Sequence, residues 1–338
     1  MAVNLQQVAE MSGVSVSTAS RALSGSLRVS ASTREVVQRA ARQLGYRPNA
    51  TARSLRTRRS GLVGLVMPNL FNASFVAIAQ TLQRVFEENG YQLVLSTSWG
   101  DEQTERRSVE ALRDHQIDGV ILTGSFPAGV AVLRESGIPT VHVAHEPADE
   151  LGDCVLGANL EGARDAVTHL AQLGHRSVGI IGPPRSAIGD ERLGGYRIAL
   201  EQHGICFDPA LVFCGPYAPE TGCEGVDCLL DAEPHPTALF IAQHEAALGA
   251  LPRLQSRGIK VPEQLSVICY EDSPMLRWWC PAVTAVDQNA QRVGELAADL
   301  LLARIWSRHE MGTEPHRFRV GARLISRESC AVPEPSSS

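Results

Sequence analysis

Apolar residues follow two rhythms along this chain, and the change between them falls near residue 60. Over the first stretch they recur three and four positions apart: Leu5, Val8 and Ala9 share one helical face, Ala19, Ala22 and Leu23 a second, and Val37, Ala41 and Leu44 a third. Polar residues stand where helix ends need them. Asn4 followed by Gln7 is a capping-box pattern, Gly13 ends that helix, Ser15 can cap a second over 16–23, and Ser30 a third that runs to Gly45. Two short helices about one glycine, closed by a third, predict a helix-turn-helix; the same pattern also serves an ordinary all-helical core.

Beyond residue 61 the rhythm changes to short apolar runs alternating with helical stretches. Strands are expected at 62–67, 92–96, 119–122 and 140–143, with helices at 74–88, 103–114 and 129–136 between them. Alternation of this kind predicts a parallel sheet covered on both faces. Around Cys154-Val155-Leu156-Gly157 the chain is expected to leave that sheet, and after a helix at 162–173 the same grammar restarts with strands at 177–181, 211–213, 238–241 and 265–269. A second α/β lobe therefore begins near residue 160. The tail, with two Pro and three Ser from Val332 on, should be disordered.

Length and composition fit this division. The chain has 338 residues, 44% hydrophobic and 20% charged, too many for one core and suited to a small head on one large or two medium domains. No run approaches the roughly 18 uncharged apolar residues of a membrane span, and the N-terminus lacks the basic-then-apolar shape of a signal peptide, so a cytoplasmic protein is expected. Eight scattered cysteines contain no Cys-x-x-Cys pair. They indicate neither zinc ribbon nor redox motif, and neither metal nor cofactor is expected.

Charge separates the two parts more sharply. Residues 1–60 hold ten Arg against Glu10 and Glu35, a balance of +8, whereas the remainder balances at −14. A basic head on an acidic body is the electrostatic footprint of a duplex-DNA reader. Asn49, after Pro48, can cap a one-to-two-turn helix over 50–55 that is too short to be stable alone in water. Its Leu55, between Arg53 and Arg56, either wedges into a DNA minor groove or packs as a linker residue.

The motif Val14-Ser15-Val16-Ser17-Thr18-Ala19-Ser20-Arg21, the segment Leu44-Gly45-Tyr46-Arg47-Pro48-Asn49-Ala50 and the run Ala52-Arg53-Ser54-Leu55-Arg56 resemble the lactose-repressor/galactose-repressor family of bacterial transcription regulators. The resemblance extends more loosely to about residue 330. It implies a DNA-binding set of Ser15, Val16, Ser17, Arg21, Asn49, Ala52 and Leu55, with Val16, Ser17 and Arg21 at major-groove base edges and Leu55 as the intercalating hinge leucine. It further implies a body of the periplasmic-binding-protein fold, a homodimer on double-stranded operator DNA, and a small effector between the lobes. The expected division is a head at 1–47, a hinge at 48–60, a body at 61–330 and a loose tail at 331–338. Within the body, 61–160 and 289–322 would form one lobe, and 161–288 and 323–330 the other.

Enzyme chemistry finds little support. The run Gly179 to Pro184 follows a strand but lacks the G-x-G-x-x-G spacing and puts Pro in the turn; no Walker run and no Gly-x-Ser-x-Gly is present. A sugar-modifying enzyme is thus disfavoured. A solute-binding receptor is permitted by the body, but the missing signal peptide and the Arg-rich head argue against it. Ligands of open α/β lobes bind beyond the C-terminal ends of strands, which marks Asn69, Phe71, Phe75, Thr123, Ser125 and His145 in the first lobe. Arg185, Arg192, Gln243, His244, Glu271 and Asp272 follow in the second, then Gln288. The resemblance implies that Arg192 grips the effector and Gln288 lines the cleft. Where the family commonly has Asn-Asp, this chain has Gln243-His244, and where it has Asp-Asp, Glu271-Asp272. A neutral His offers one donor and one acceptor where Asp accepts two hydroxyls. With Arg192 and Arg185 nearby, a sugar acid, a phosphorylated sugar or another small anion is as acceptable as a neutral sugar.

Overall fold

The computed structural model describes residues 3–23, 28–46, 59–124, 126–147, 152–233, 235–307 and 314–333. The chain divides into two units, Met1–Ser60 and Gly61–Ser338. In the first, the capping pattern is realised atom by atom. Asn4 Oδ1 accepts the Gln7 N–H at 3.0 Å and Gln7 Oε1 accepts the Asn4 N–H at 2.9 Å, which starts α1 (Leu5–Ser12). Gly13 ends it at φ +67°, a left-handed turn that a side chain would strain. Ser15 Oγ accepts the Thr18 N–H at 3.1 Å at the head of α2 (Val16–Leu23), and Ser30 caps α3 (Ala31–Leu44). The helices close over Val8, Ala9, Ala19, Ala22, Val37 and Ala41, with Leu23 and Leu44 half-buried at the margin. Asn49, Ala52 and Leu55 lie outside the described residues.

The second unit contains two six-stranded sheets. In the first, β1 (Leu62–Met67), β2 (Gln92–Thr97), β3 (Gly119–Thr123), β4 (Thr140–Val143), β5 (Asp153–Gly157) and β11 (Arg317–Val320) run in the order β11-β5-β4-β3-β1-β2, all parallel. The apolar runs of β1, β3, β4 and β5 are buried because α4 (Ala73–Glu88), α5 (Glu102–Asp114) and α6 (Pro127–Glu135) cover the sheet, whereas the edge strands β2 and β11 stay largely open, with Val94, Leu95 and Phe318 exposed. One expectation fails here. The segment at 154–157 does not leave the sheet but forms β5 within it, pairing His142 with Cys154 on one side and Val155 with Phe318 on the other. The strand that completes it lies about 160 positions later, beyond the reach of any local pattern.

The second sheet repeats the plan. β6 (Val178–Gly182), β7 (Val212–Cys214), β8 (Ala238–Ile241), β9 (Ser266–Tyr270), β10 (Thr284–Asp287) and β12 (Arg323–Ile325) run in the order β12-β10-β9-β8-β6-β7. Here β12 pairs antiparallel with β10, the exception to otherwise parallel pairing. Four helices cover it: α7 (Asn159–Gln172), α8 (Ala187–Gln202), α9 (Pro219–Leu230) and α10 (His244–Ser256). The short α11 (Pro274–Trp278) follows β9. After β10 the chain returns to the first core as α12 (Ala290–Trp306), whose Val293, Ala297 and Leu301 pack with Ile78 and Leu82 of α4. It continues through β11 and crosses back at β12. Ala331, expected to begin a loose tail, is instead held: its N–H donates to Ser266 Oγ at 3.0 Å and its carbonyl lies 3.0 Å from His175 Nε2.

Pairs of helices approach most closely at glycines. A Cβ on Gly249 of α10 would collide with the Pro219 carbonyl of α9, and one on Gly222 with the Ala246 carbonyl. Backbone cannot yield as a flexible side chain can. Gly249→Ala should therefore cost about 1–3 kcal/mol by overpacking, read as a lower urea midpoint. Gly194→Ala, whose Cβ would meet only Leu160 Cδ1 at 3.9 Å, should be neutral or slightly stabilising through helix propensity. Equal destabilisation by the two would refute close packing as the reason for Gly249.

Candidate functional site

In the head, α2 turns Val16, Ser17 and Arg21 to solvent, with Val16 46% exposed. Packing does not account for an exposed apolar residue in the first turn of this short helix, with an exposed cation, Arg21, in its last turn. The Ser15 hydroxyl is committed to the cap and lies 2.9 Å from Ser17 Oγ.

In the body, the C-terminal ends of both sheets open on one cavity of about 770 Å³, within the usual range for small-ligand sites. Its polar centre is Arg192 of α8, which is 3% exposed. Its Nε donates to Asn159 Oδ1 at 3.0 Å, Nη1 to the Ala242 carbonyl at 2.7 Å and Nη2 to Glu271 Oε1 at 3.3 Å. The guanidinium carbon sits 3.8 Å from the Tyr270 ring centroid. These partners come from the start of α7, the residue after β8 and the residue after β9. Glu271 occupies a left-handed conformation at φ +72°, and its N–H is tied to the Val286 carbonyl at 2.9 Å. Trp99 and Ala144, also on the cavity wall, likewise have positive φ. Strain of this kind gathers at ligand sites.

Opposite Arg192, Asn72 caps α4. Its Oδ1 accepts the Ser74 N–H at 2.9 Å and its Nδ2 donates to Glu245 Oε1 of α10 at 3.3 Å, linking an element of the first sheet to one of the second. Burial, and then the neighbouring Glu271 charge, raise the Glu245 carboxyl above its usual range. Burial also lifts Glu105 to about 7, against the lowering effect of the Phe126 N–H that it accepts at 3.0 Å. His145 is held below its usual value by burial and by Arg192.

Phe75, Arg192, Glu271 and Gln288 all line the cavity, as do Asn69, Phe71 and His145. Gln243 and His244 do not. Gln243 has an extended backbone at the N-cap of α10, so its side chain turns back and donates to the Gly182 carbonyl at 3.2 Å. His244 is buried behind the wall, and the next residue, Glu245, faces the cavity instead. Arg185 projects into solvent against Asp190, Asp272 binds Arg277 and Arg327, and Thr123 is spent on the Val66 carbonyl. Ser125 lies outside the described residues. Asn72, Glu105, Asn159, Tyr217 and Glu245 line the cavity without having been expected. Four of these, Asn72, Asn159, Tyr217 and Glu245, stand within five residues of a strand end, so a window of five residues past each strand reaches them.

Comparison with known proteins places this geometry. Residues 4–49 match the family described as bacterial regulatory proteins, lacI family, and residues 167–330 match a periplasmic binding protein-like domain. The repressor CytR of Escherichia coli (strain K12) is 32% identical over 91% of each chain. The chain belongs to the LacI family. It is a DNA-binding transcriptional regulator with the family's helix-turn-helix and two-sheet body. A solved complex of the transcriptional regulator CelR with cellobiose is 33% identical, covering 97% of this chain and 99% of the other, with a TM-score of 0.73. The lac repressor dimer bound to operator and an anti-inducer is 25% identical, with coverage of 98% and 100% and a TM-score of 0.83. Among the described residues, no helix is long and apolar enough to cross a membrane.

The Glu105 environment predicts a pH dependence. Its folded value of about 7 exceeds the usual 4.5, so its contribution to stability is fully present below about pH 4.5 and is lost as pH rises through 7. Glu105→Gln keeps an acceptor for the Phe126 N–H without the charge. Its stability relative to wild type should grow between pH 5 and 8, by up to about 3 kcal/mol. Parallel denaturation profiles for the two proteins over that range would show that the Glu105 carboxyl does not titrate there.

Proposed function

We propose that this LacI-family regulator represses transcription as a homodimer on a near-palindromic operator, and that a small hydroxylated ligand in the interlobe cavity sets its operator affinity. The observation that carries the ligand half is the composition of the cavity wall. It draws Asn72 and Phe75 from the first sheet's elements, Arg192, Glu245 and Glu271 from the second's, and Asn159 and Gln288 from the crossings. A ligand touching both sides binds unequally to two arrangements of the lobes, the condition for control of a distant DNA contact. The similarity to a regulator solved with cellobiose supports a carbohydrate-sized occupant, and the similarity to a repressor dimer solved on operator DNA supports the assembly.

For the DNA half, the exposed face of α2 supports Val16, Ser17 and Arg21 at base edges, with Ser15 as the cap that orients them. Asn49, Ala52 and Leu55 complete the proposed contact set. Selection from a pool of randomised duplexes with the full chain should return an inverted repeat, and gel shifts should show two protomers on it. An Arg that reads a base carries about 1–3 kcal/mol of discrimination. Arg21→Ala should therefore weaken the selected duplex by about one to two decades while leaving an unrelated duplex nearly unaffected. The same loss on both would make Arg21 a phosphate contact.

A further inference from the structure

Resting on the effector reading above, we propose that the ligand presents a cationic amine to Glu245 and Glu271 from a hydroxylated, ring-sized scaffold, and that anionic ligands are rejected. The argument starts from the fate of Arg192. Its Nε, Nη1 and Nη2 each donate to a protein acceptor, one of them the Glu271 carboxylate, and its face rests on Tyr270. The single positive charge is thus paired with the Glu271 carboxylate inside the protein, and an incoming carboxylate or phosphate would have to compete with that pair.

The negative side of the wall is not matched. Glu245 and Glu271 are each 7% exposed, and each uses one oxygen, Oε1, on a protein donor. The second oxygen of each, Oε2, is buried and has no hydrogen-bond partner among the described residues. The donor that reaches Glu245 is the neutral Asn72 amide, and the adjoining His244 lowers its carboxyl less than that amide does, so Glu245 has no counterion comparable to that of Glu271. The two carboxyls are close enough for the Glu271 charge to raise the Glu245 carboxyl. The remaining ionisable groups of the wall supply no cation: Glu105 is an acid, and burial with the Arg192 charge holds His145 below its usual value, against its taking up a proton.

Hydroxyls could satisfy the two oxygens but would leave the Glu245 carboxyl, which burial and the Glu271 charge hold above its usual range, without a cation to ionise against. An ammonium offers three donors and brings to this side of the wall the positive charge that it lacks. An anion would enter against the field. The cavity, at about 770 Å³, is far larger than an ammonium, and Phe75, Phe126 and Tyr217 offer apolar faces suited to a saturated ring.

The test uses full-length protein at one pH near neutrality and matched triplets on a common scaffold: glucosamine, glucose and glucuronate; galactosamine, galactose and galacturonate; and the amino, neutral and acid members of a β-1,4-linked disaccharide. Calorimetry should show the amine of at least one triplet binding about tenfold or more tightly than its neutral partner, with no binding of the acid. Glu245→Gln and Glu271→Gln should each reduce that preference by about tenfold. Binding of a neutral or acid member as tightly as its amine overturns the proposal. So does the absence of any amine binding, or a preference that survives both variants. Gel shifts on the selected duplex separate this result from the effector reading. A tight-binding amine that leaves operator affinity unchanged upholds the ligand class and overturns control by that ligand; a neutral sugar that releases the duplex upholds control and overturns the amine.

Discussion

A guanidinium taken out of water has to be surrounded by acceptors, and Arg192 collects them from three separate stretches of chain. Asn159 lies at the first crossing between the sheets, Ala242 just past β8 and Glu271 just past β9, with the Tyr270 ring beneath. The position of these strand ends, and hence the shape of the cavity floor, depends on that one side chain. The left-handed backbone of Glu271 is tolerated in the same way, held by its bond to Val286 and its ion pair with Arg192. A buried ion pair is weak evidence for stability in itself. Here its effect is better described as registration, because the guanidinium ties three separate stretches of chain to one point.

Local rules made most of the secondary structure legible. The Asn4/Gln7 box, the glycine stops and the apolar runs correspond to features whose physics acts within a few residues, and the elements expected from them fall within three residues of expectation. The membership of β5 was illegible because its flanking partner, β11, is brought to it only by the return of α12. The cavity wall was partly legible for a similar reason. Strand ends indicate the neighbourhood, but they cannot say that an extended cap turns Gln243 back toward Gly182 while Glu245, two residues on, faces the opening. Likewise a sequence displays the charge of Arg192 without displaying that Asn159, Ala242 and Glu271 accept three of its five N–H groups.

The two halves of the body differ in how they are held internally and to each other. Inside the second, glycine contacts between α9 and α10 and between α7 and α8 bring backbone against backbone, so these layers have little freedom to slide. Between the halves the connections are sparser. Asn72 to Glu245 and Arg319 to Glu191 are polar bridges that water or a ligand can replace. Rigid layers joined by exchangeable polar contacts are a suitable substrate for a transition with two discrete arrangements.

The chain passes between the two sheets three times: after β5, after β10 and between β11 and β12. Two bodies joined by a single tether can tumble in every direction, but each added strand of covalent connection removes ways of moving. With three, twisting and sliding at one joint must be matched at the other two, and what survives is close to a single opening coordinate. A molecule lodged in the cavity therefore does not need to steer the halves. It has only to choose a point along a path that the connectivity has already drawn.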